Sequence, residues 1–250
     1  MTTPVWRRLE FSEIGSTNAL GVERARLGEP AGLVIRSDFQ SAGRGRRDRT
    51  WEAPSRSSLL TSILLRPQIP SEQIFLVTLA LAVAAREAMV VLTGVRPDVK
   101  WPNDLLVGGK KIAGILAEFV PHPAAGDAVV IGIGINLTFT GPPDAQGTSL
   151  RDQSGVTVSP EAMLDMLLRS FSPRLALTES IDGRDQLLAE YEVALVTKGV
   201  RVRLELPDES FEAEALGVDA RGRLRVRRDD GSETFLDVAD VRHVRPAGSA

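Results

Sequence analysis

Gln40-Ser-Ala-Gly-Arg-Gly-Arg-Arg-Asp-Arg-Thr-Trp51 is the densest chemical signal in the chain, and the segments on either side of it decide the fold. Before it, LVIRSD (33–38) reads as a short strand. After it, SLLTSILLRP (58–67) has strand composition and stops at its proline. The twelve residues 40–51 hold four arginines, two glycines and one aspartate, a local charge of +3. Glycines let a backbone approach a ligand closely, and successive N–H groups form an anion-binding nest. Arginine forks match phosphate or carboxylate oxygens in two-point contacts. Together they suit a polyanionic small molecule. On charge density alone, a solvated basic loop or an RNA contact of the arginine–glycine type fits as well. The stretch is not a dinucleotide fingerprint, because Asp48 stands where the last glycine of G-x-G-x-x-G belongs, and the chain has no Walker A sequence.

Outward from the loop, residues 16–28 read as a helix opened by Ser16 or Thr17 as N-cap. A long helix over roughly 71–92 is apolar on all faces, with Gly94 past its end, which marks it as buried. A strand runs through Val99-Lys100, followed by turns at Pro102-Asn103-Asp104 and Gly108-Gly109. Segments 111–119 and 128–137 read as strands. Ser159 caps a helix with Pro160 at its first position, and Met163, Met166, Leu167 and Phe171 at helical spacing. Pro173 is expected to kink or end it. A shorter helix, about 183–196, leads to Gly199. From Val200 the period changes to two, in VRVRLEL, FEAEALGV, RLRVRR and ETFLDV separated by short polar turns, which predicts a small β-barrel. The expectation is an α+β domain over 1–197, a mixed sheet flanked by helices, then a barrel domain over 198–246 and a tail at 247–250.

Composition narrows the chemistry. With no cysteine, disulfides, thiolate zinc, iron–sulfur clusters and thiol nucleophiles are excluded. Two histidines, His122 and His243, make a Ser–His–Asp triad or a multi-histidine metal site a poor reading. The net charge of −3 argues against the whole molecule as a nucleic-acid or membrane partner. No apolar run is read as approaching the roughly 18 residues of a membrane span, and MTTPVWRRLEF lacks a signal-peptide core, so a soluble cytoplasmic protein is expected. Arginines number 26 against four lysines, which makes the pair Lys110-Lys111 stand out.

Two further signals lie downstream. Lys100-Trp-Pro-Asn-Asp104 precedes Lys110-Lys111-Ile-Ala-Gly-Ile-Leu116. A lysine opening an apolar strand is costly unless its ammonium meets an anion or snorkels to water. Gly114 permits close backbone approach from the same strand. In Gly132-Ile-Gly134-Ile-Asn136, alternate glycines leave one strand face without side chains. That makes either a slot for a flat ligand or a close packing seam.

Ser16-Thr17-Asn18, Gln40 with Gly43-Arg-Gly-Arg46 and Arg49-x-Trp51, KWPND at 100–104, Lys111-x-Ala-Gly-Ile-Leu116 and Gly132-x-Gly-x-Asn136, in this order, resemble the biotin protein ligases over essentially the whole chain. The resemblance implies a class II synthetase or biotin–lipoate ligase-like domain with a C-terminal SH3-like barrel. Since 15 residues precede Ser16, it is to the short class that lacks a DNA-binding winged helix. Asp48 departs from the family's usual glycine and weakens the loop's positive field. The implied activity joins biotin and ATP as biotinyl-5′-adenylate and then biotinylates one lysine of a biotin carboxyl carrier protein, of acetyl-CoA carboxylase or another biotin-dependent carboxylase. Nucleic acid and membrane are not implied partners, and the chain would be a monomer or homodimer.

By the same resemblance, Arg44, Arg46 and Lys111 are catalytic, neutralising the carboxylate and the α-phosphate that must meet. Ser16, Thr17, Asn18 and Gln40, with Gly43, Arg44, Gly45, Arg46, Lys111, Gly114, Gly132 and Gly134, would bind biotin. Arg46, Arg49, Trp51, Lys100, Asn103, Asp104, Lys111 and Asn136 would bind ATP, with Asp104 near Mg2+. Which barrel arginine, such as Arg242 or Arg245, reaches the nucleotide is left open. A lipoyl or octanoyl ligase or transferase of the same fold is the nearest alternative, distinguished by a longer acyl tunnel. A nucleic-acid-binding module is the alternative from another class.

Overall fold

A computed structural model describes residues 5–47, 49–142, 146–206, 209–237 and 240–243, the last four as backbone only. Asp48, Arg245 and the tail 247–250 lie outside the described residues, as does the side chain of Arg242. The first sheet has seven strands, β1 (Arg7–Ile14), β2 (Leu33–Gln40), β3 (Ser58–Leu65), β4 (Asp98–Lys100), β5 (Asp104–Val107), β6 (Lys110–Val120) and β7 (Ala128–Asn136), in the order β1-β2-β3-β7-β6-β5-β4. Only β1 and β2 pair in parallel, with helix α1 (Thr17–Arg26) as their crossover; the other neighbours are antiparallel. No element is predicted before Ser16, yet β1 occupies eight residues there. Its alternation is hidden by charges, but Leu9 and Phe11 join Ala25, Leu33, Ile35, Leu64 and Val130 in the small cluster under α1.

The other face carries α2 (Phe75–Thr93), α4 (Pro160–Leu177) and α5 (Ile181–Ala194), with a short α3 (Leu150–Ser154) just before α4 in the chain. Period-two alternation assigns side chains to faces. Val129, Ile131, Ile133 and Ile135 of β7 join the large core with Leu76, Leu79 and Val83 of α2. Full burial of each such side chain stabilises the fold by roughly 1.5–3 kcal/mol. Contrary to the sequence reading, the helical stretch 71–93 does reach membrane-spanning length and apolarity. Its long run is the central helix of the core, with Leu76, Leu79, Ala80 and Met89 fully buried.

Pro173 neither ends nor replaces α4, which continues to Leu177. The carbonyl that loses its N–H donor is Arg169 O, and on either side of it Ser172 Oγ donates to Leu168 O at 2.9 Å and Arg174 to Ser170 O at 3.0 Å. Beyond the proline, Leu175 is buried and Arg174 pairs with Glu87 and Glu190. Tertiary packing thus outweighs the local cost of the missing N–H.

The second sheet is antiparallel and five-stranded, β8 (Arg201–Glu205), β9 (Ser210–Val218), β10 (Leu224–Arg227), β11 (Glu233–Leu236) and β12 (Asp240–His243), in the order β11-β10-β9-β8-β12. Its inward residues Val202, Leu204, Ala213, Ala215, Leu224 and Val226 belong to the same core as α2. Trp101 bolts the two sheets together. It is fully buried, donates from Nε1 to Gly222 O at 3.0 Å and meets Phe75 edge-on at 6.1 Å. Gly222 (φ +79°) packs so closely that a Cβ there would stand 2.9 Å from the Phe75 ring.

Candidate active site

The site lies on the sheet face opposite α2, past the N-terminal end of α1. Register builds its floor: Gly114 of β6 pairs with Gly134 of β7, Gly134 with Leu60 of β3, and Gly132 with both Leu116 and Ser62. Three glycines and one serine therefore share one face across three central strands. Their missing side chains leave a trough bordered by Leu60 and Leu116 and by Ser16, Thr17, Asn18, Gln40, Arg44 and Trp51.

One end of the trough is lined by uncharged polar side chains. Ser16 is the N-cap of α1, its Oγ accepting from Ala19 N at 3.4 Å. Gln40, the last residue of β2, accepts from Thr17 N at 2.7 Å and Thr17 Oγ1 at 3.0 Å. Thr17 Oγ1 shares a 2.7 Å hydrogen bond with Ser62 Oγ, and Ser62 donates to Asn18 Oδ1 at 2.5 Å. Asn18 Nδ2 donates to Leu116 O at 3.2 Å and Glu118 Oε2 at 2.9 Å. Ser16, Thr17, Asn18 and Ser62 are buried, Gln40 is half-buried, and Thr17 links Gln40 to the Ser62–Asn18 pair. The array suits a neutral ligand with both donors and acceptors.

The other end is cationic. Arg44 pairs with Glu118 at 2.9 Å, Arg46 donates to Asn103 Oδ1 at 3.0 Å, and Lys111 pairs with Asp104 at 2.6 Å. Asn103 is fixed in turn by donating to Ile115 O at 2.8 Å. Lys111 is anchored on its backbone by residues 146–148, with Lys111 N donating to Gln146 O at 3.2 Å and Thr148 N to Lys111 O at 2.8 Å. Asn136 is buried and donates to Thr148 O at 3.0 Å. Lys100 stands opposite Asp104 in the β4–β5 register. Arg49 closes the loop on itself, its carbonyl accepting from Gly45 N at 2.6 Å.

Trp51 sits where the glycine pattern predicts a slot. A Cβ at Gly134 would meet its indole at 2.4 Å, and one at Gly114 at 3.1 Å. Lys111 Nζ lies 5.5 Å from the ring centroid, a cation–π distance. The indole Nε1 is buried with no hydrogen-bond partner among the described residues. About 30 Å³ of space remains in the trough, room for roughly one water. The flat group filling the slot is therefore the chain's own indole. Gly43 allows this geometry, since a Cβ there would stand 2.2 Å from Trp51 O.

Sequence reasoning singled out Ser16, Thr17, Asn18, Gln40, Arg44, Trp51, Gly114, Gly132 and Gly134, and all border this one trough. Arg46, Asn103, Asp104 and Lys111 cluster at its cationic end, while Asn136 lies at the end of β7 with its amide turned to Thr148. Three participants were missed: Glu118, which ties Arg44 to Asn18; Ser62, which links Thr17 to Asn18; and Thr148. Period two from Gly114 and Gly132 pointed at Glu118 through Leu116, but not at the cross-strand partner Ser62. No cluster of three metal-ligating side chains occurs among the described residues. A single carboxylate, Asp104, beside cations fits a hard divalent ion that arrives with phosphates and keeps most of its waters.

The fold and this trough define a two-part architecture, a glycine-floored α+β domain sharing its core with a small antiparallel sheet. Residues 14–136 match the Biotin/lipoate A/B protein ligase family, and residues 197–249 match the Biotin protein ligase C terminal domain. A biotin--[acetyl-CoA-carboxylase] ligase of Mycobacterium tuberculosis is 35% identical over 249 residues, covering 96% of this chain and 90% of that one. A bifunctional ligase/repressor of Bacillus subtilis is 31% identical over 235 residues, covering 91% and 71%. A biotin protein ligase structure from Aquifex aeolicus, in complex with biotin and ATP, superposes with a TM-score of 0.80 at 24% identity, covering 95% and 99%. The chain belongs to the biotin/lipoate protein ligase family and is a ligase enzyme.

Proposed function

We propose that this chain activates biotin with ATP as biotinyl-5′-adenylate and transfers the biotinyl group to one lysine of a biotin carboxyl carrier domain. The observation that carries this reading is the asymmetry of the trough, with a neutral hydrogen-bonding end at Thr17, Asn18 and Gln40 and a cationic end at Arg46 and Lys111. A glycine floor joins them. Biotin has the matching shape, a neutral ureido ring at one end and a carboxylate at the other. Relatives named for biotin ligation to acetyl-CoA carboxylase support the substrate and the carrier.

In the first step a biotin carboxylate oxygen attacks the α-phosphorus and pyrophosphate leaves. Two anions must approach, and Lys111 with Arg46 and Arg44 neutralises both, most strongly where charge builds in the transition state. Substrates would exchange with Asp104, Asn103 and Glu118 for these cations. Asp104, with Lys100 and Asn103, faces the nucleotide phosphates and would hold the accompanying Mg2+, which supplies further charge neutralisation. Arg49, Trp51 and Asn136 are assigned to the nucleotide, and Gly43 and Gly45 give the loop its close approach. In the second step the carrier lysine's neutral amine attacks the acyl carbon, AMP leaves, and the amine proton passes to solvent. The loop over residues 43–50 shields the mixed anhydride from water. Domain 1–197 holds the chemistry, and domain 198–246 closes over ATP or docks the carrier. Trp51 has to leave the trough before biotin can occupy it.

The test is an avidin blot of purified protein with biotin, ATP–magnesium and a carrier domain, each component omitted in turn. Labelling that needs all of them supports the reading. Thermal stabilisation by lipoate or octanoate and not by biotin would instead favour the acyl-ligase alternative.

A further inference from the structure

The proposed chemistry needs the arginine loop held at a set height over the trough, and its far stem is held by charge. Arg36, on the β2 face turned toward α4, has a side chain only 6% exposed. Its guanidinium meets Asp38 at 2.7 Å, Glu161 at 3.1 Å and Glu10 at 3.4 Å. Arg56 lies at the exit of the loop with φ 59°, a region disfavoured for any residue but glycine. Its backbone N donates to Asp38 O at 2.9 Å. Its guanidinium donates to both Asp38 carboxylate oxygens at 3.1 Å and to Glu161 Oε1 at 3.0 Å. Three carboxylates thus enclose two guanidiniums, and none of the five residues borders the trough. The Arg56 guanidinium is pushed above its ordinary value, first by its hydrogen bond to Asp38. The Glu161 carboxyl lies below its ordinary range, first through its own backbone amide and then through Ser159, Arg36 and Arg56.

The cluster acts on both ends of one loop. Asp38 is two residues before Gln40, whose amide grips Thr17. Arg56 precedes Ser57, whose carbonyl accepts from Leu137 N at 3.1 Å and Thr138 N at 2.9 Å at the end of β7. Between these anchors hang Arg44, Arg46 and Trp51. We propose that Arg56, bridging Asp38 and Glu161, is a positioning residue that fixes the loop's exit stem and so sets the seating of Trp51 and Arg46 over the trough. This rests on the ligase reading above for its kinetic consequence, though not for its geometry. The Arg56 side chain is 52% exposed, and exposed ion pairs add little to global stability. Displacements of about 1 Å at a reacting centre, by contrast, cost up to roughly a hundredfold in rate.

The experiment compares full-length wild type with Arg56→Ala, Arg56→Lys, Glu161→Gln and the Arg56→Ala/Glu161→Gln double variant. Four quantities are read: biotin KM and kcat for ATP-dependent pyrophosphate release, escape of biotinyl-adenylate without carrier, thermal unfolding, and amide exchange of residues 43–47 in ligand-free protein. Arg56→Ala is expected to lower kcat/KM for pyrophosphate release and to raise escape, each by about tenfold, with kcat carrying part of the loss because Arg46 is mis-seated. Its unfolding temperature should stay within about 3 °C. Exchange at 43–47 should accelerate by about tenfold while β2 and α4 are unchanged. Arg56→Lys should recover most of each effect, and the double variant should be no worse than the worse single one. Unchanged exchange in Arg56→Ala overturns the clamp whatever the activity, and so does an additive double variant. A loss of unfolding temperature that accounts for the kinetic change, without rescue by lysine, also overturns it. Accelerated exchange in a protein whose wild type releases no pyrophosphate would uphold the clamp and reject the ligase chemistry.

Discussion

The two faces of β7 carry opposite solutions on one strand. Toward α2 it presents Val129, Ile131, Ile133 and Ile135, all buried in the main core. Toward the trough it presents Val130, then Gly132, Gly134 and Asn136, where two side chains are missing and the third is held by Thr148. The first face is filled and the second withholds its atoms, so stability and ligand binding are separated by a single residue step along the chain. Substitutions one residue apart should therefore fail in different ways.

The largest effect is expected at the cationic end of the open face. Arg46→Ala should lower adenylate formation by roughly two or more orders of magnitude while the protein stays folded, the scale of one lost charge-stabilising donor. Pyrophosphate release at the wild-type rate would remove Arg46 from the chemistry. Next is Gly134→Val, which puts a branched side chain where a Cβ already meets the Trp51 indole at 2.4 Å. Calorimetry should show biotin affinity weakened by about a hundredfold, on the scale of about 3 kcal/mol of lost fit. Ile133→Ala, one residue earlier and facing α2, should cost about 2–5 kcal/mol in denaturant unfolding yet leave biotin affinity within twofold at a temperature where it is folded. If Ile133→Ala weakened biotin as strongly as Gly134→Val, the separation of faces would fail. The smallest effect is optical. The chain has three tryptophans, and biotin binding should shift the emission of Trp51 alone as it leaves its trough, a change absent in Trp51→Phe.

Much of this was legible in the sequence because glycines and charges are local signals. The alternation Gly132-x-Gly134 announced a bare strand face, and a lysine opening the strand at Lys111 called for an anion or for water, of which the structure gives the anion, Asp104. What was not legible depends on tertiary partners. Strand β1 is an edge strand whose charged residues mask its period, and its reason to form is the parallel pairing with β2. Pro173 reads as a helix stop until the packing beyond it is seen, with Leu175 buried and Arg174 paired with Glu87 and Glu190. Ser62 and Glu118 are unremarkable until register brings Ser62 beside Gly132 and a long-range contact brings Glu118 to Arg44. The occupant of the slot was likewise hidden. Alternate glycines leave open a slot for a flat group or a packing seam, and Trp51 fills the space from the loop that also carries the arginines.

The central claim is that a neutral pocket and a cationic pocket, joined by a glycine floor, bring a carboxylate and a phosphate anhydride together. Mass spectrometry of products after incubating the purified chain with biotin and ATP–magnesium, without any carrier, tests this most directly. The account predicts biotinyl-5′-adenylate and pyrophosphate in equal amounts, dependent on both substrates. Wild-type protein that binds both substrates and yields neither product would contradict it.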